Sequence, residues 1–334
     1  MPEKRKLIST TLIALMIISF AAPFIFTNVQ AAETTNITIV IDASHGEISS
    51  KSEALTNQLI GNLTAKGYNV IVAKGGINAT VLENATALLV GAVYGANFTS
   101  AEILAIKNWY NTGNKFIWVN GDSDYSGNYI VKNSNDILAA IGAHLRVEPT
   151  SVEDPESNCG AGYRVVANVT NNDPTVAPIV KDVSKVLFHG PSILYGINAD
   201  GDPVALENTT LPNVYWIMKT SPAGIIVDHD LVSPVAHTVN QEGSFVIFAV
   251  ELAAGPKANN VVMVSGAAGY GDYEPMFSDL YHDVNLTGSA LVKQAIDYGV
   301  TKCQPAMGID PMIITAAIGA VVVVVIIAAV LKKK

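Results

Sequence analysis

Short apolar runs alternate with stretches of helical spacing through the first half of the chain. Ile37–Asp42 (ITIVID) is such a run and leads into Ala43-Ser44-His45-Gly46. From Ser52 to Lys66 the apolar positions Leu55, Leu59, Ile60 and Leu63 recur at helical spacing, and Gly67 stops the pattern. Tyr68–Ala73 and Ala87–Val93 (ALLVGAV) read as two further strands. Thr99 then opens a helical pattern through Ile103, Leu104, Ile106 and Trp109 to Gly113, and Glu102 completes a capping-box signature. Lys115–Val119 (KFIWV) is the next apolar run, ending at Asn120-Gly121-Asp122. Strands that are apolar nearly throughout, separated by helices, predict a parallel sheet covered on both faces.

The second half is richer in turns. Short strands are expected at Tyr163–Val169, Val186–His189, Val214–Lys219, Gly224–Val227, Phe245–Val250 and Val261–Gly266, with a last helix over Ser289–Tyr298 packing through Leu291, Val292 and Ile296. No internal repeat or low-complexity linker interrupts this pattern.

Two apolar segments of different kinds bracket these elements. Lys4, Arg5 and Lys6 precede an apolar stretch from Leu7 to Phe26, and Val29-Gln30-Ala31 offers a small-residue cleavage site, as in a secretory signal peptide over residues 1–31. Residues 312–331 carry no charge and are long enough to cross a bilayer. Lys332, Lys333 and Lys334 follow, so the positive-inside bias puts the C-terminus in the cytoplasm. The expectation is a type I, single-pass protein of the cell membrane. Its extracellular domain spans 32–300, with a short juxtamembrane linker at 301–311 and membrane lipid as partner of the C-terminal helix.

Charge changes meaning once the ends are set aside. The whole chain is −9, but the segment between signal and tail holds 14 basic and 28 acidic residues. That balance disfavours nucleic acid and anionic lipid, whose phosphates require clustered Lys and Arg. Eight Asn-x-Ser/Thr acceptors, at Asn36, Asn62, Asn78, Asn84, Asn97, Asn168, Asn208 and Asn285, read as glycosylation sites of a secreted chain. With the signal, anchor and Lys tail they fit an archaeal cell-surface glycoprotein. The two cysteines, Cys159 and Cys303, are expected to pair as a disulfide outside the cell.

The succession ALLVGAVYGANFTSAEILAIKNWYNTGNKFIWVNGD (Ala87–Asp122) resembles the class I glutamine-amidotransferase-like fold. More narrowly, it is similar to the variant associated with transporters, gliding motility and intraflagellar transport. The early Asp42-Ala43-Ser44-His45-Gly46, the late strand VVMVSG and the polar segment Asp272–Asp279 fit the same pattern, so the resemblance covers roughly Ile37–Tyr298. It implies a flavodoxin-like open parallel sheet with helices on both faces, here followed by a single C-terminal transmembrane helix. It also implies an accessory role beside a membrane transport or envelope protein.

The chemistry departs from that family. A working amidotransferase needs a cysteine on the turn after a strand and a histidine base. The corresponding loop here is Asn120-Gly121-Asp122-Ser123-Asp124, without cysteine, and no Gly-x-Ser-x-Gly surrounds Ser123. Ligands of open α/β sheets bind at the carboxyl ends of the strands. The ligand-binding candidates are therefore Asp42, Ser44 and His45 after the first strand, and Asn120, Asp122 and Asp124 after the fourth. Asp and Asn oxygens suit a divalent cation; the competing reading, which we favour, is that Asp42 and His45 cap the following helix and order the loop. No catalytic residue, metal or cofactor is assigned. Asp228-His229-Asp230 resembles a metal or acid-base cluster, but a strand would place both carboxylates on one side and the imidazole on the other, so it is read as a loop. The expected function is a non-catalytic, membrane-anchored ligand- or partner-binding module. A metal-assisted extracellular hydrolase and a structural envelope glycoprotein are the alternatives.

Overall fold

The computed structural model describes residues 37–127, 129–230 and 232–305. The signal segment, Asn36, residues 312–331 and the Lys tail lie outside the described residues. Among the described residues no helix is long and apolar enough to cross a membrane.

The first half follows the sequence pattern closely. It runs β1 (Thr38–Asp42), α1 (Glu53–Ala65), β2 (Asn69–Ala73), the short α2 (Ala79–Leu82), β3 (Ala87–Val90), α3 (Ser100–Tyr110) and β4 (Phe116–Asn120). Thr99 and Glu102 form the expected capping box: the Thr99 side chain accepts from the Glu102 amide while the Glu102 carboxylate accepts from the Thr99 amide. Next come α4 (Tyr129–Ile141), β5 (Leu145–Val147), β6 (Ser151–Glu153), β7 (Arg164–Ala167), β8 (Val169–Thr170), β9 (Val186–His189), β10 (Leu194–Ile197) and β11 (Pro203–Ala205). The chain closes with β12 (Val214–Lys219), β13 (Gly224–Val227), β14 (Glu242–Gly243), β15 (Val246–Leu252), β16 (Val261–Ser265), β17 (Leu280–Tyr281), β18 (Val284–Asn285) and α5 (Gly288–Lys302).

One eight-stranded sheet, ordered β2-β1-β3-β4-β16-β15-β12-β8, carries the fold. Strands β2, β1, β3, β4 and β16 are mutually parallel, in the 2-1-3-4-5 order of flavodoxin-like sheets. Beyond β16 every pairing is antiparallel. The open parallel sheet expected from the sequence is thus corrected to a mixed one. A parallel return to β16 would need a crossover element, whereas β15 reaches it through a short connection that only permits an antiparallel partner.

Both faces of β1, β3, β4 and β16 are dry, while β2 at the sheet edge is partly exposed. Ile39, Ile41, Leu89, Phe116, Trp118 and Met263 point to the side covered by α1 and α5. Val40, Leu88, Val90, Ile117, Val119, Val262 and Val264 point to the side covered by α3 and α4. This is why these strands are apolar at successive positions instead of alternating.

The expected disulfide is absent. Cys159 and Cys303 are both free and buried. Cys159 packs with Val166, Leu187 and Leu286, while Cys303 follows the last turn of α5 within the main core. A cysteine in an apolar pocket behaves as a small hydrophobe, and these two sit in separate clusters. Of the acceptor asparagines, Asn78, Asn84, Asn97, Asn168, Asn208 and Asn285 are exposed and Asn62 is half-buried.

Candidate functional site

The carboxyl ends of the parallel strands carry three loops, after β1, β3 and β4, joined by a fourth after β16. In open sheets the crevice at the reversal of strand order, here between β1 and β3, is where ligands enter. This chain fills it. The Gly95 amide donates to the His45 carbonyl (2.7 Å), and the Tyr270 hydroxyl donates to the Asp42 (2.8 Å) and Leu89 (2.9 Å) carbonyls. Gly91 permits this closure, because a Cβ there would stand 2.9 Å from Glu47 Cβ. Gly46 adopts φ +85°, where a side chain would also strike the Gly95 backbone.

Within the filled crevice three carboxylates surround one imidazole. His45 Nδ1 lies 2.8 Å from Asp42 Oδ2 and 3.5 Å from Glu47 Oε1, and Nε2 lies 3.3 Å from Glu102 Oε1. Phe98 stacks on the ring at 3.9 Å. Burial alone would lower the His45 pKa, but hydrogen bonds and the charges of Asp42 and Glu47 push it up to about 10. Burial opposes ionisation of Asp42 too, yet hydrogen bonds with His45, Glu47 and Ser44 hold it below the usual range. Glu47 moves the other way, raised chiefly by burial. Ser44 donates its amide (3.0 Å) and hydroxyl (2.5 Å) to Asp42 Oδ1. Asp42, Ser44 and His45 therefore hydrogen-bond within their own loop, but neither Asp42 nor His45 caps the following helix α1, whose N-cap position is Ser52.

Asn120 is also internally satisfied. Its Oδ1 accepts from Ser265 Oγ (2.9 Å) and the Gly269 amide (2.7 Å), and its Nδ2 donates to the Val90 carbonyl. It ties β4 to β16 and the loop beyond.

Asp122 differs. Its carboxyl takes the Ser123 amide (2.7 Å) and the Tyr94 hydroxyl. Burial first, and then the charge of Asp272, push its pKa well above the carboxylate range; burial likewise raises Asp272 to about 7. The loops that bring these acids together carry exposed tyrosines: Tyr94, Tyr125 (78% exposed) and Tyr273. Tyr273 stacks on His189 at 5.2 Å, and Tyr163 and Tyr281 meet the same imidazole edge-on. Burial, Arg164 and His282 push His189 down to about 4, so it is neutral at physiological pH. His189 is followed by Gly190, whose carbonyl accepts from the Ser123 amide at 3.0 Å, placing this aromatic cluster beside Asp122. An acid group rimmed by tyrosines is a surface for hydrogen bonding and stacking.

Asp124 faces away from that rim. It accepts from Ser151 Oγ and from the His229 amide (2.7 Å). Asp124, Asp228 and Asp230 converge with ligand atoms all within 4.8 Å of one another. Asp228-His229-Asp230 lies in the loop just beyond β13, and its approach to Asp124 could not be read from the sequence. Tyr125 meets His229 edge-on at 5.4 Å. A second buried imidazole, His237, was not singled out by its sequence. Its Nε2 lies 3.0 Å from Glu207 Oε2, and its Nδ1 lies 3.5 Å from Glu148 Oε2. Glu47, Glu102, Asp272 and Tyr94 were also missed. Only Glu102 carried a local signal, and that signal was a helix cap.

No family model matches the chain, and no curated protein does. Among solved structures the chain is similar to the mmIFT52 N-terminal domain, with 15% identity, a TM-score of 0.48, and coverage of 78% of this chain and 94% of that one. It is also similar to a Thermoplasma acidophilum protein described as part of a GMP synthase, with 9% identity, a TM-score of 0.37, and coverage of 80% of this chain and 94% of that one.

Proposed function

We propose that this chain is a non-catalytic binding module of the amidotransferase-like kind, held at the outer face of a membrane by residues 312–331. On this reading it takes a polyhydroxyl ligand, such as a glycan, at the carboxyl edge around Asp122. The observation that carries the reading is an acid group rimmed by exposed tyrosines with no nucleophile among them. Both thiols of the chain are buried elsewhere. Among the described residues no histidine hydrogen-bonds to Ser123, whose hydroxyl accepts the Tyr125 amide at 3.4 Å. A tyrosine ring offers a flat apolar face and a polar tip, which together match the alternating C–H and O–H surface of a sugar. The membrane segment and the family resemblance support a membrane transport or envelope protein as the partner.

The test is binding of the full-length chain to a panel of soluble glycans, with hydrolysis of the same panel monitored. Tyr125→Ala and Tyr273→Ala should each weaken binding about tenfold, equivalent to about 1.4 kcal/mol, with no hydrolysis by any variant. Retention of no glycan by the folded protein, or equal binding by both variants, would refute the reading. The convergence of Asp124, Asp228 and Asp230 favours a second reading, metal-assisted hydrolysis; turnover of a glycan or ester that depends on added divalent cation and is lost in Asp228→Asn would establish it.

A further inference from the structure

We propose that Asp42, His45 and Glu47 form a buried three-residue site for one divalent transition-metal ion of the zinc class. The proposal is independent of the glycan reading, since it uses none of the tyrosine-rimmed edge.

The donor atoms are already gathered. One ligand atom from each of the three residues lies within 4.8 Å of the others. Asp42 and Glu47 have no exposure and His45 only 4%. Ligand atoms sharing a metal at roughly 2.0–2.2 Å stand a little over 3 Å apart, close to the 2.8 and 3.5 Å separating His45 Nδ1 from the two carboxylates.

An independent observation points into this space. Glu47 Oε1 is buried and receives no hydrogen bond. A buried carboxylate oxygen without a donor is costly, and a cation held between Glu47, Asp42 and Nδ1 would relieve it. The far side of the ring is arranged to match. Glu102 stands at Nε2, and is itself held by the Thr99 amide (2.9 Å) and the Ile77 amide (3.1 Å). A carboxylate fixed at Nε2 keeps the proton there and aims the Nδ1 lone pair at Asp42 and Glu47. That is the orientation outer carboxylates impose on metal-bound histidines.

Charge and donor type select the ion. Asp42, Glu47 and Glu102 place three carboxylates around one imidazole, an excess of negative charge that a divalent cation offsets better than a single proton. An imidazole nitrogen with two carboxylate oxygens suits Zn²⁺ and neighbouring transition ions over Ca²⁺. Ser44 Oγ, 3.1 Å from Nδ1, is the nearest further donor on the chain. Metal and proton compete for Nδ1, so binding releases a proton. The ion would also stiffen the loop whose Glu47 carbonyl accepts the Asp272 amide at 2.6 Å, joining the β1 loop to the β16 loop.

The experiment uses the full-length chain stripped with chelator, then titrated with Zn²⁺ and separately with Co²⁺. One equivalent should bind, Co²⁺ should show the visible absorption of a low-coordinate site, and the thermal midpoint should rise. Glu47→Gln and Asp42→Asn should abolish the Co²⁺ spectrum. Glu102→Gln, which keeps the helix cap, should weaken affinity roughly 10–100-fold. Asp200→Asn, at an exposed turn outside either carboxylate cluster, should change nothing. Three results would overturn the proposal: no binding by the folded wild type, wild-type affinity in both Glu47→Gln and Glu102→Gln, or loss of the spectrum in Asp200→Asn. If Glu47→Gln does not fold, the Glu102→Gln affinity decides the matter alone.

Discussion

His237 gives a pH dependence that can be worked from its surroundings. Its side chain is 1% exposed and lies between Glu148, with no exposure, and Glu207, 14% exposed. Glu148 holds the loop above it through the Val235 and Ala236 amides, and Glu207 also accepts the Val246 amide. Burial alone would keep the imidazole neutral, but the adjacent Glu148, the hydrogen bond with Glu207 and the charges of both carboxylates raise the pKa from 6.5 to about 9. The folded pKa lies above the unfolded one. The contribution is therefore fully present below about pH 6.5 and lost as pH rises through about 9. At roughly 1.4 kcal/mol per unit, the difference between those two values amounts to about 3 kcal/mol. His237→Gln removes the charge and strands Glu148, a loss of roughly 3–5 kcal/mol for breaking a buried pair. The assay is urea unfolding of wild type and variant across this pH range. Taking the difference at each pH cancels the titrating groups that do not face His237; Glu207, whose pKa, despite burial, is held below its usual value in part by His237, titrates on the acid side of this range. The gap should be wide near pH 6 and nearly closed above about pH 9. A gap that stays constant across the range would show that His237 is neutral in the fold and that the ion-pair account is wrong.

Gly91→Ala drives a methyl to within 2.9 Å of Glu47 Cβ and 3.2 Å of Tyr270 Cζ, and should destabilise by about 1–3 kcal/mol in denaturant melts. Leu59→Ala empties a fully buried position where α1 packs on the sheet, and should cost about 2–5 kcal/mol by the same measurement. Reducing agent should leave the thermal midpoint unchanged, and both thiols should react with a thiol reagent only after unfolding, because burial shields them and pushes Cys303 up to about 11. Burial pushes the Asp122 pKa well above its usual value, so Asp122→Asn, which keeps the shape without a charge to bury, should fold with near wild-type stability at pH 7, whereas Asp122→Leu, which leaves the Tyr94 hydroxyl without its acceptor, should be clearly less stable.

Local pattern carried the elements of the first half because each can be recognised from its own residues. The Thr99–Glu102 cap, the apolar runs of β1, β3 and β4 and the helical spacing of α1 depend on neighbours a few positions away. The helix α4 was readable too, through Ile130, Ile137, Leu138 and Ile141 at helical spacing, although its polar interior at Asn133–Asp136 concealed it. The hydrogen bonds among Asp42, Ser44 and His45 are local, so a loop-ordering role for Asp42 and His45 could be read from the sequence, whereas the helix cap expected of them does not form.

What the chain could not display in one dimension is pairing direction and convergence. Whether β15 meets β16 parallel or antiparallel depends on the path of the connection, and an apolar run reads the same either way. Asp122 meets Asp272, and His45 meets Glu102, only because the sheet sets distant strand ends side by side. The separation of Cys159 from Cys303 followed the same rule: secretion chemistry favoured a bond, but packing placed each thiol in its own apolar pocket. Sequence determined which segments become strands and helices, since that rests on short-range periodicity and capping. Tertiary structure alone decided which charges face each other, since burial and Coulomb interaction depend on distance through space and not along the chain.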